Sequence, residues 1–141
     1  MTTKRETILA AVRTALTGTT GVSTRIYRSR VEPIARQESP AIVVEPLTDQ
    51  ADNSVVPKLD WQMTVRIAII VRGAVPDQLA DPIVEDVHKK LLSNATLTGL
   101  VTEIVPLRVT FDSMDADQPA GVVLMDYSIR YRTQAGDLSL A

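Results

Sequence analysis

Apolar and polar positions alternate along Leu59 to Gly73, LDWQMTVRIAIIVRG, for longer than anywhere else in the chain. Trp61, Met63, Val65, Ile67, Ile69 and Val71 fall at every second position, the period of a β-strand with one buried face. The other face reads Asp60, Gln62, Thr64, Arg66, Ala68, Ile70 and Arg72. Its apolar pair, Ala68 and Ile70, is expected to meet another subunit. A strand of this length spans roughly 46 Å, more than the ~40 Å diameter of a compact chain of this size, so one end is expected to project.

The remaining pattern predicts six further segments. Thr2 or Thr3 caps a helix running to about Leu16, with Ile8, Leu9, Val12, Ala15 and Leu16 as its stripe and Gly18 as its stop. Arg25 to Val31 has β character and carries Arg25, Arg28 and Arg30, read as one basic face; it is either a charge-guarded edge or a contact strip for an acidic partner. Ala41 to Glu45 is a short buried strand stopped by Pro46, and Leu47 to Lys58 reads as a long hairpin loop carrying Asp49, Asp52, Val55 and Val56. That loop is either functional or a disordered tip. Asp81-Pro82 starts a helix to about Ser93 with Ile83, Val84, Val87 and Leu91 inward. Val101 to Phe111 alternates through Val105, Leu107, Val109 and Phe111, and Pro106 marks an edge strand or a break. Asp112 to Gly121 is an acidic turn; Val122 to Thr133 is the last strand, with Asp126, Ser128, Arg130 and Arg132 on its polar side.

The order helix, three strands, helix, two strands implies one α+β domain, residues 1–133, with a tail at 134–141 that is an arm or flexible. Its sheet is mostly antiparallel or mixed, of four to five strands, with two helices on one face and a long projecting hairpin. The open face mixes arginines with apolar residues and is expected to be partly covered by assembly.

Composition narrows the chemistry. There is no cysteine among the 141 residues, which removes thiol nucleophiles, zinc–thiolate sites and iron–sulfur clusters. A net charge of −2 argues against a nucleic-acid-coating surface, and an aromatic content of 4% argues against base-stacking platforms. No apolar run approaches the ~20 residues of a membrane-spanning helix. The only histidine, His88, reads as a half-exposed helix residue with no adjacent nucleophile motif. No phosphate-binding glycine loop or nucleophile elbow occurs. Asp112, Asp115 and Asp117 lack the glycine and distal glutamate of a calcium loop and read as a solvated turn. Glu45 is the one semi-buried carboxylate expected from position, so neither a catalytic site, a metal site nor a cofactor is predicted.

Together the leading helix, IYRSR, PAIVVEP, LDWQMTVRIAIIVRG, ADPIVEDVHKKLLSNATLTGLV and DYSIRYRT resemble the tail-terminator, or tail-completion, proteins of long-tailed bacteriophages. The resemblance covers roughly residues 1–133 and lies in element order and strand character, with no diagnostic motif. It implies a non-enzymatic virion protein at the head–tail junction, assembled in the host cytoplasm. Such a subunit forms a ring, a hexamer in this family, that caps the tail tube, ends its polymerisation and meets a head-side connector or neck protein, with DNA passing through its lumen. On that reading Val55 and Val56 dock on a neighbour or the tube, and Arg28, Arg30, Arg130 and Arg132 pair across the ring with Asp112, Asp115 and Asp117. Two other classes fit the same residues: a small-molecule or regulatory module, and an enzyme whose residues converge only in the fold. Another phage neck or tail-tube subunit is a further reading.

Overall fold

The computed structural model describes residues 2–22, 24–29, 40–52, 57–94, 97, 99–114 and 120–139. Arg30, Val55, Val56, Asp115 and Asp117 lie outside these residues.

Thr3 caps the first helix, its hydroxyl accepting from the Glu6 N–H, and α1 runs Lys4–Ala15. Its Ile8, Leu9, Val12 and the following Leu16 are fully or almost fully buried. The strands are β1 (Ile26–Arg28), β2 (Ala41–Asp52), β3 (Lys58–Arg72), β4 (Glu103–Met114) and β5 (Ala120–Gln134), and the second helix, α2, spans Pro76–Ser93. They form one sheet in the order β1-β2-β3-β5-β4. β1 runs parallel to β2 and every other pairing is antiparallel, which makes the sheet mixed and the fold α+β, as the sequence predicts.

Both helices lie on one face. Met63, Val65, Ile67, Ile69 and Val71 of β3 and Val123, Met125, Tyr127, Ile129 and Tyr131 of β5 point to them, buried in a single core with the helix stripes. These are the residues that alternation assigns to the inner face.

Several expectations need correction. Pro46 does not stop β2, which continues to Asp52; the strand absorbs the proline through a register shift between Pro46 and Thr48. Leu47 to Asp52 is therefore paired strand rather than loop, and its polar residues suit an outer strand with little cover. The hairpin is paired along its described length: Ala51 and Asp52 pair with Trp61 and Asp60, and Lys58 pairs with Gln134 of β5. The tail folds back over this end: Ala135 N–H donates to Pro57 O and Lys4 N–H to Leu138 O.

The second helix starts at Pro76, not at Pro82, which sits inside it. Pro82 is exposed, so the helical donor missing at that position leaves its carbonyl open to water instead of stranded in the core. Gly121 permits the early start. A Cβ there would come within 2.3 Å of Pro76 Cβ, so only glycine lets the first turn of α2 rest on β5.

Pro106 marks an edge and also a break, since β4 is the last strand and shifts register between Pro106 and Arg108. The shift separates the four apolar residues expected on one face. Val105 pairs with Ser128 of the outer face, whereas Val109 and Phe111 pair with the inner-facing Met125 and Val123. Arg25 and Arg28 are likewise of opposite parity, so the first strand has no uniformly basic face.

Candidate assembly surfaces

The outer face divides into an apolar half and a charged half. Ala41, Val43 and Ala68 form a small buried cluster, with Tyr27, Ile70, Val122 and Leu124 packed around it. Ala68 is only 8% exposed within this chain and Ile70 is half-buried. Across the other half, charges are matched inside the molecule. Asp126, whose side chain is wholly buried, accepts from Arg66 Nε at 2.9 Å and from Arg108 Nη1 at 3.0 Å. The Arg66 bond holds its carboxyl below the usual aspartate range, against the opposing effect of burial. Arg132 pairs with Asp60 at 2.5 Å and Arg130 with Glu103 at 3.5 Å.

Other charges predicted to face partners also have local ones. Arg28 makes a bidentate pair with Glu6 of α1, both contacts at 3.0 Å. That bond lowers the Glu6 carboxyl from its ordinary value. Asp49, nine-tenths buried, accepts from Arg5 Nε at 2.8 Å and from the Tyr131 hydroxyl, fastening the start of α1 to β2 and β5. Trp61 stacks on Tyr131 with ring centroids 6.3 Å apart. Asp52 and Asp112 are exposed near the ends of β2 and β4. The structure thus brings Arg28, Asp49, Arg130 and Arg132 into pairs within the chain, with partners that lie far off in sequence. Glu45, expected as the semi-buried carboxylate, is half-buried at an outer-face position paired with Arg66; among the described residues the fully buried one is Asp126.

His88 is exposed on α2, and its Nδ1 lies 3.0 Å from the Tyr127 hydroxyl, with the two rings stacked. Burial pushes the Tyr127 phenol up to about 12, so it stays neutral and fixes the helix to β5. Among the described residues no three His, Cys, Asp or Glu side chains come together as metal ligands.

Sequence reasoning missed the largest uncovered feature. From Val105 through Asp112 every residue of β4 is exposed, and Val105, Leu107, Val109 and Phe111 are 42%, 43%, 46% and 66% exposed. Phe111 is the only phenylalanine in the chain and, among the described residues, the most exposed of the large apolar ones. It borders a groove of about 380 Å³ with Pro76, Asp77, Asp112, Gly121 and Val123. The signal available in the sequence was Pro106, which placed this alternation on an edge and so left one side without a neighbouring strand.

A model of the phage minor tail protein U family matches residues 3–131. The chain belongs to that family. Membership makes it a structural component of a phage tail. No curated protein matches the chain. Among solved structures, this phage tail protein is similar to a chain from the virion of a native gene transfer agent (GTA) particle. The two share 12% identity over 89% of this chain and 94% of that one, with a TM-score of 0.51. At that identity the likeness is one of fold.

Proposed function

We propose that this tail protein is a terminator: a ring subunit that caps the head-side end of the tail tube, ends its polymerisation and offers the surface on which the neck joins. The observation that carries the reading is membership of the minor tail protein U family across residues 3–131. The mass of exposed apolar residues on one sheet edge supports it, because a monomer gains nothing from leaving that edge uncovered. Its partners are further copies of itself, the tail tube protein and a head-side connector.

The test is tail length. In a phage stock lacking this protein, electron microscopy is expected to show tubes of uncontrolled length without joined heads, restored to uniform length by supplying the protein in trans. Absence of any tube would instead identify a tube subunit, and tails of normal length bearing heads would overturn the terminator role. Light scattering on the purified protein is expected to give the mass of a closed ring, six copies in the family resemblance.

A further inference from the structure

Two flanks of the sheet, at opposite edges, match in level, direction and charge. Ile26, Ile42, Ile69, Val123 and Phe111 form a single row of paired residues, so Phe111 of β4 and Ile26 of β1 lie level at the two ends. Following the pairings across the sheet, β1 and β4 point in opposite directions. A second copy placed beside the first in the same orientation would bring β4 of one antiparallel to β1 of the next.

At the β1 end, a groove of about 330 Å³ runs between α1 and β1, lined by Ala10, Arg13, Thr14, Thr17, Ile26 and Arg28. Arg13 and Arg25 donate to carbonyl oxygens there, of Ile26 for the first and of Pro40 and Gly21 for the second. Among the described residues neither charge meets a carboxylate, and with Arg28 they outnumber Glu6 on this flank. At the β4 end the balance is reversed. Asp77, Asp81 and Glu85 follow at four-residue spacing on the side of α2 that also carries His88, whose contact with Tyr127 turns it toward β5 and β4. Asp112 adds a further acid beside Phe111.

We propose that copies of this chain join head to tail through these flanks, Phe111 of one copy filling the α1–β1 groove of the next. Asp77, Asp81 and Asp112 then face Arg13, Arg25 and Arg28 across the seam. A two-fold contact of the β4 flank with itself would instead set its acids against their own copies. A repeated contact between unlike surfaces closes into a ring when its rotation divides a full turn. The inference rests on the ring reading above and names its seam.

Because the chain has no cysteine, cross-linking can test the seam directly. Phe111→Cys and Thr17→Cys change exposed residues. An oxidised mixture of the two single variants is expected to give a covalent dimer that neither gives alone, and the double variant a ladder of larger species. Phe111→Asp is expected to weaken self-association about tenfold or more, as loss of an aromatic anchor does, with an unchanged unfolding midpoint. Rising salt is expected to weaken association of the native chain. A dimer from Phe111→Cys alone would show a two-fold contact and overturn the proposal. A ring of undiminished mass in Phe111→Asp, without cross-links, would overturn the seam while leaving the ring reading standing. A strict monomer at every concentration, with no cross-links, would overturn both.

Discussion

β2 and β4 are two versions of one local solution. Each carries a Pro-Leu pair, Pro46-Leu47 and Pro106-Leu107, where its register shifts against the inner strand. The prolines stand in a single row across the sheet, Pro46, Val65, Tyr127 and Pro106. Their surroundings differ. The first half of β2 lies between β1 and β3 under α1 and is buried from Ala41 to Val44, while β4 from Val105 to Asp112 is exposed on both faces. Proline and a bulge blunt both strands as pairing edges. What separates them is cover: the apolar residues in the first half of β2 are buried, and those of β4 from Val105 to Phe111 are not.

The sharpest way to break this comparison is to shorten side chains within one row. Ile42→Ala in β2 removes a fully buried side chain and is expected to cost about 3 kcal/mol of stability, read from urea unfolding. Next in size is Asp126→Asn, which deprives Arg66 and Arg108 of their buried counter-charge. Both arginines reach solvent and can rehydrate, which limits the expected loss to about 2 kcal/mol. The same carboxylate gives a pH signature. Its folded value is depressed, so its contribution is present above the ordinary aspartate range near 3.9 and is lost as pH falls through the lower folded value. Unfolding midpoints measured down the acid limb are expected to fall less steeply in Asp126→Asn than in the native chain. Smallest is Phe111→Ser, which changes monomer stability by no more than about 0.5 kcal/mol because the ring is already in water. A loss comparable to that of Ile42→Ala would show that β4 is covered within the subunit.

Much of this fold is legible in sequence where one face of an element is buried and the other is not. α1, β3 and β5 fall in this class, and their inner residues follow the alternation of Met63 to Val71 and Val123 to Tyr131. Proline misled the reading wherever its effect depended on neighbours. Pro46 looks like a stop but becomes a bulge, and Pro82 looks like a helix start but sits on an exposed face of α2 that can spare one donor. The charged positions of the surface were legible as residue types, but their partners were not. Arg28, Arg130 and Arg132 meet Glu6, Glu103 and Asp60 only after the sheet has formed. Asp126 reads as a solvent-facing residue by parity, yet Arg66 and Arg108 close over it. Exposure of Phe111 depends on how far α2 extends across the sheet, which no periodicity encodes.

The ladder between β3 and β5 has a consequence in time. It joins Arg72 to Ala120 at its near end and Lys58 to Gln134 at its far end, separations of 48 and 76 residues. Each flanking hairpin can close as soon as its own two strands exist, but β3 cannot receive β5 until dozens of further residues have been synthesised. At about 5–20 residues per second that is a wait of several seconds. During it, one long edge of an Ile- and Val-rich strand has no partner. The chain is then open to the wrong strand, including β3 of another nascent copy, and the local β2–β3 hairpin, with α2 following directly in sequence, is the available shelter until β5 arrives.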